Sequence, residues 1–230
     1  MQLEENNVPT GSAPLDRVIG GLPRRQVTLL YGEPGTGKTT LAVQASGNAA
    51  KQGMKVLFVD ADNSFYPERL ADIAGASPEV SRRIFVSKPR SFFGLTHLLE
   101  NLGSYINSGT SLVVVDTVTS LYREALAGGQ SVFSLNRELN LQLAYLVETA
   151  RVSGPAVLIT SQVRSIPLAY GSMPRIEPVA TRVVKFWPQR IMRISTLPET
   201  GLREVFVEKA EEPQLVGARV TLRLGEEGLG

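Results

Sequence analysis

No cysteine occurs anywhere in the 230 residues, which excludes disulfides, thiolate metal sites and cysteine nucleophiles together. Histidine is almost as scarce. The single His97 lies in the helix-like stretch GLTHLLENL and reads as a helix-surface or core residue, not as part of a metal site or triad. No apolar run approaches the about 20 residues that a membrane span needs. The opening Met1–Asn7, MQLEENN, carries two glutamates and lacks the apolar centre of a secretion signal, so a cytoplasmic protein is expected. A large net charge is missing too, at +2. Eighteen of the 24 basic residues are arginine, which suits recognition of phosphate by planar forks, although genome composition or heat adaptation would produce the same bias. Between Arg164 and Arg193 six basic residues face one acid, Glu177, the one local excess that could form a nucleic-acid surface.

What the chain does have is a phosphate loop. Gly32-Glu33-Pro34-Gly35-Thr36-Gly37-Lys38-Thr39-Thr40 fits G-x-x-x-x-G-K-[ST], between the apolar strand Gln26–Tyr31 and a helix expected over Lys38–Gln52. The glycines let backbone N–H groups turn inward around a triphosphate. Lys38 reaches the β- and γ-phosphates, and the Thr39 hydroxyl binds Mg²⁺. ATP with Mg²⁺ is the expected ligand pair.

Beyond the loop, strand and helix signals alternate: Lys55–Asp60, Pro67–Ala74, Arg83–Val86, Ser91–Asn107, Ser111–Asp116, Leu135–Arg151 and Ala156–Gln162. The strands are continuously apolar rather than alternating, which predicts a mostly parallel α/β sheet covered by helices on both faces. Residues 163–180, with prolines at 167, 174 and 178, read as an irregular connection. The tail segments Arg190–Thr196, Arg203–Lys209 and Arg219–Leu224 alternate and predict antiparallel strands that extend the sheet. The length suits one domain over 1–230.

Three polar residues close predicted strands. Asp116, ending SLVVVD, occupies the Walker B position that holds Mg²⁺ through water. An additional strand between the phosphate loop and Asp116 ends at Asp60 and is followed by Asp62, the arrangement of hydrolytic motor ATPases, where such an acid polarises the attacking water. Gln162 ends the next strand at a height suited to sensing a γ-phosphate. Catalytic roles are therefore expected of Asp62 and Gln162, and metal binding of Thr39 and Asp116.

The run from Thr10-Gly11-Ser12 through Gly20-Gly21-Leu22-Pro23 into VTLLYGEPGTGKTTLA resembles the core of RecA-family recombinases. So do VDADNSFYPERL at 59–70, VDTVTSLYR at 115–123 and ITSQV at 159–163, and within the family the chain is most similar to the short archaeal RadA paralogues, the RadB group. The resemblance implies a RecA-like ATPase core that serves as a recombination accessory protein. It implies that Arg69 packs on adenine, that 163–180 is a DNA-facing loop bearing Arg164, Tyr170 and Arg175, and that the segment between Arg123 and Leu135 is another. Single- or double-stranded DNA and a host RadA-type recombinase are the implied partners, with self-association open. Recombinases carry glutamate where this chain has Asp62, which implies slow hydrolysis. The core begins near residue 8, so the N-terminal helix-hairpin-helix domain and polymerisation linker of recombinases are not expected. A self-sufficient strand-exchange recombinase and a KaiC-like signalling ATPase are the alternatives. Phe186 and Trp187 read as core residues.

Overall fold

The computed structural model describes residues 7–75, 77–166 and 175–230. In chain order the elements are α1 (Ala13–Ile19), β1 (Val27–Gly32), α2 (Lys38–Lys51), β2 (Lys55–Asp60), α3 (Pro67–Ala74), α4 (Pro78–Ser81), β3 (Ile84–Ser87), α5 (Phe92–Glu100) and α6 (Leu102–Tyr105). They continue with β4 (Thr110–Asp116), α7 (Ser120–Ala127), α8 (Val132–Ser153), β5 (Ala156–Ile166), β6 (Arg175–Pro178), α9 (Thr181–Val184), β7 (Arg190–Thr196), β8 (Leu202–Lys209), β9 (Arg219–Gly225) and β10 (Gly228–Leu229).

Among the described residues the strands form one sheet in the order β10-β9-β8-β7-β1-β5-β4-β2-β3, with β6 paired to β5. From β7 to β3 every pairing is parallel, and β8, β9 and β10 add antiparallel to the β7 edge. Alternation along the strands divides the core between two faces. Leu30, Phe58, Val114 and Leu158 point to the layer holding α1 and α2, whereas Leu29, Val113, Val115 and Ile159 meet the layer of α5, α7 and α8. β1 and β4 are buried along their whole length, and cover on both sides explains the apolar runs Leu29–Tyr31 and Leu112–Val115. The parallel strands β1, β2, β4 and β5 end at one rim, and the phosphate loop leaves from it.

Three local expectations change. The single helix expected over Ser91–Asn107 breaks at Asn101, whose side chain donates to the His97 carbonyl (2.9 Å) and so competes with the helix ladder. Of the stretch 163–180, expected to be irregular, both described ends are paired: β5 continues to Ile166 and pairs antiparallel with β6, Val163 opposite Pro178 and Ile166 opposite Arg175, while residues 167–174 lie outside the described residues. The segment from Arg123 to Leu135 is not a loop. It is mostly α7 and the first turn of α8, joined by a short turn at 128–131.

The basic tail also reads differently in three dimensions. Arg190 is 1% exposed; its guanidinium donates to the carbonyls of Ile19 (3.2 Å) and Gly21 (2.7 Å) and pairs with Glu212 (3.0 Å). It clamps the turn before β1 to the β7 edge and is not a nucleic-acid contact. Lys185 pairs with Glu208 at 2.6 Å, and Arg193 lies 3.9 Å from the same carboxylate. Arg190→Met would strand two carbonyls and leave Glu212 unpaired. Because Glu212 keeps some solvent, we expect a loss of about 2–3 kcal/mol, read as a lower urea midpoint at unchanged m-value; an unchanged midpoint would contradict the clamp.

Phe186 is 69% exposed and is not a core residue. Trp187 packs against the second face of the core, and its Nε1 donates to Asn140 Oδ1 at 3.1 Å. His97 stands on the α5 surface, as expected.

Candidate nucleotide site

The phosphate loop is shaped by its glycines. Gly35 and Gly37 adopt φ of 75° and 104°, a region that favours glycine. A Cβ on Gly32 would lie 2.1 Å from the Ile194 carbonyl oxygen, so β7 packs against the loop where no side chain fits. α2 then starts at Lys38 and aims its free N–H groups into the loop. Lys38 is 7% exposed, and its Nζ donates to the carbonyls of Gly32 (3.0 Å) and Glu33 (2.8 Å). Burial pushes its pKa down, against the pull of Asp116, Asp62 and Glu33.

Asp116, at the end of β4, is fully buried and carries a dense shell of donors. Its Oδ2 accepts from Thr39 Oγ1 (2.8 Å) and Ser64 Oγ (3.0 Å), and its Oδ1 accepts from the Thr160 hydroxyl. The Thr39–Asp116 contact joins the two expected metal ligands. Hard oxygens of this kind suit Mg²⁺, which keeps waters and phosphate oxygens in the rest of its shell. Among the described residues no cluster of three or more His, Cys, Asp or Glu side chains could hold a metal.

The structure separates the two acids of the additional strand. Asp60 accepts from the backbone N–H of Ser64 (2.9 Å) and Phe65 (3.2 Å) and pairs with Lys88 (2.9 Å), so it fastens the turn after β2. Asp62 stands free of that turn, with Oδ2 3.5 Å from Gln162 Nε2. Burial raises the Asp62 pKa, and the Asp116 and Asp60 charges add to it; the Gln162 contact and Lys38 oppose. The Gln162 Oε1 accepts in turn from Arg123 of α7. Arginine can only donate, so this contact turns the Gln162 amide N–H toward Asp62.

Arg69 reaches from α3 to the hydroxyl of Thr40 and lines a cavity of about 180 Å³ with the phosphate loop and Leu224. Lys38, Thr39, Asp62, Asp116 and Gln162 thus share one rim, with Arg69 beside them. Arg164 and Arg175 occupy strands β5 and β6, and Tyr170 lies outside the described residues. Sequence reasoning missed Ser64, Thr160 and Arg123 as partners of the site. They lie 52, 44 and 39 residues from the groups they touch, and a hydroxyl or arginine carries no motif at that range.

A phosphate loop, a strand-end aspartate bonded to its threonine, and an acid-bearing strand that comes between them in sequence and pairs with β4 in a mostly parallel sheet define a RecA-like P-loop fold. The chain belongs to the Rad51 family, whose model matches residues 3–228, and within it to the archaeal RadB group. It is 33% identical to "DNA repair and recombination protein RadB" of Thermococcus onnurineus over 96% of this chain and 95% of that one. It is 29% identical to the protein of the same name from Methanothermobacter thermautotrophicus, over 98% and 96%. A solved structure, "Crystal structure of the RadB recombinase", superposes with a TM-score of 0.78 at 30% identity, covering 96% of this chain and 98% of that chain. The family is nucleotide-binding and typically Mg²⁺-dependent. Among the described residues no helix is long and apolar enough to cross a membrane.

Proposed function

We propose that this chain is an ATP-binding accessory protein of DNA repair and homologous recombination that contacts DNA, assists a full-length RadA-type recombinase and hydrolyses ATP slowly. The observation that carries the reading is the Thr39–Asp116 contact at the mouth of the phosphate loop (2.8 Å), with Asp62 and Gln162 on the same rim. The names of the relatives supply the process. In this reading Lys38 and the loop N–H groups bind the phosphates, and Thr39 and Asp116 hold Mg²⁺. Asp62 orients a water and takes its proton, and Gln162 senses the γ-phosphate. Bound Mg-ATP supplies the phosphoryl group and the charge that neutralises it.

DNA contact is assigned to the β5–β6 ribbon, because it grows directly from the sensor Gln162 and its two strands carry Arg164 and Arg175. Such a ribbon is placed to respond to the occupant of the site. Fluorescence anisotropy with single-stranded DNA at several salt concentrations tests this. Replacing both arginines by alanine should weaken binding without sequence preference and flatten the log–log salt slope by roughly two units, with ATP affinity unchanged. A double variant with the parent's affinity and slope would move the DNA surface elsewhere. Co-purification of the host recombinase, with and without ATP, tests the partner.

A further inference from the structure

The turn that carries Asp62, residues 61–66, is tied down in several places, and the ties differ in what they hold it to. At its start the backbone N–H groups of Ala61 (2.8 Å) and Asp62 (3.2 Å) donate to the Asp116 carbonyl, and Ser120 Oγ donates to the Ala61 carbonyl (2.9 Å). At its far end Phe65 packs on Phe58, ring centroids 4.7 Å apart. Lys88 Nζ donates there to Asp60 Oδ2 (2.9 Å) and to the Phe65 carbonyl (3.3 Å). In the middle the Ser64 N–H closes on Asp60 Oδ1 (2.9 Å). These contacts shape the turn without touching a phosphate or metal ligand side chain.

One contact is of another kind. Ser64 Oγ donates to Asp116 Oδ2 at 3.0 Å, and the same oxygen accepts from Thr39 Oγ1 at 2.8 Å. A single carboxylate oxygen is thus where the phosphate-loop hydroxyl and the turn bearing Asp62 meet. Asn63, between Asp62 and Ser64, stands at φ 51°, in the left-handed region that asparagine enters more readily than most residues. Around this corner Ser64 reaches Asp116 while Asp62 comes within 3.5 Å of Gln162. A general base acts only within about 2.6–3.2 Å of its water, so the height of this turn above the metal ligands matters to the reaction. We propose that Ser64 is a positioning residue for hydrolysis: by holding the Asp62 turn to the Asp116 oxygen shared with Thr39, it keeps the water-activating carboxylate in register with the metal site. The inference rests on the reading of Asp62 as the base.

The test separates the rate from binding. Single-turnover phosphate release at saturating Mg-ATP and calorimetric Mg-ATP affinity are measured for the parent, Ser64→Ala, Ser64→Thr, Ser64→Cys and Asp62→Asn, each with its urea midpoint. Ser64→Ala should slow release roughly ten- to hundredfold, the scale of a misplacement near 1 Å, with affinity and midpoint close to the parent's, because the other ties still fold the turn. Ser64→Thr keeps the hydroxyl and should restore the rate. Ser64→Cys, similar in shape but a weak donor, should be as slow as alanine and carries the comparison if the alanine variant does not fold. An undiminished rate in Ser64→Ala overturns the proposal, and so does a threonine variant as slow as alanine. Equal losses of rate and affinity also overturn it, since they would make Ser64 a support of the metal site and not of the base. Slow release by Asp62→Asn beside a full rate in Ser64→Ala refutes the role of Ser64 and leaves the base standing. Undiminished release by Asp62→Asn, or a parent that binds Mg-ATP and releases no phosphate, removes the reading of Asp62 and this inference with it.

Discussion

Lys38→Ala should lower the affinity for Mg-ATP by roughly two to four orders of magnitude. Two lost charge-assisted hydrogen bonds, at about 1.5–3 kcal/mol each, correspond to that range at about 1.4 kcal/mol per decade. The structure adds a reason for a loss at the upper end. The ammonium also donates to the carbonyls of Gly32 and Glu33, so its removal both deletes the phosphate ligand and leaves the first turn of the loop without its tie. The fold should tolerate the change better than the site does, because burial works against the charge on Lys38. We therefore expect an unfolding midpoint near the parent's beside a collapse in affinity. Asp116→Asn is the contrast: it should weaken only the Mg²⁺-dependent part of binding, leaving nucleotide affinity in EDTA close to the parent's. Isothermal titration in which Lys38→Ala binds Mg-ATP as tightly as the parent would sink the nucleotide assignment.

Much of this site was readable in advance because its backbone lies on buried parallel strands. A strand covered on both faces is dominated by apolar residues, and a charged or amide side chain is accommodated where the strand reaches the rim, so Asp60, Asp116 and Gln162 marked it. The bounds expected for Lys55–Asp60, Pro67–Ala74 and Arg190–Thr196 are those observed. The β5–β6 ribbon was not readable. The prolines at 167, 174 and 178 suggested a connection without pairing, whereas Val163 to Ile166 pair with Arg175 to Pro178. The first turn of α8 was missed because Val132 and Phe133 are 52% and 81% exposed there, so no apolar stripe announces it. The different duties of Asp60 and Asp62 were also hidden. Two residues apart in sequence, one is consumed by two backbone N–H groups and a lysine, and the other is left to face Gln162.

That difference underlies the second large effect. If Asp62 is the base, Asp62→Asn should abolish phosphate release, since positioned general bases contribute roughly 10²–10⁴-fold. The amide is nearly isosteric and removes a negative charge that Asp116 and Asp60 disfavour, so ATP binding and stability should hold or improve slightly. Loss of turnover with retained binding would locate the defect in chemistry. The parent itself should turn over far below the ~1–10³ s⁻¹ of ordinary enzymes, because aspartate stands one methylene short of the glutamate that recombinases carry at this position. Asp62→Glu should then raise the rate by extending the carboxylate toward a water in line with the γ-phosphate. The longer side chain must also keep its contact with Gln162, whose amide is turned toward residue 62 by Arg123. The gain should accordingly be smaller when Arg123 is replaced by methionine. A phosphate-release assay decides: brisk turnover in the parent, undiminished turnover in Asp62→Asn, or no gain in Asp62→Glu would each count against Asp62 as a shortened base. An undiminished rate would turn attention to Gln162 as the group that holds the water.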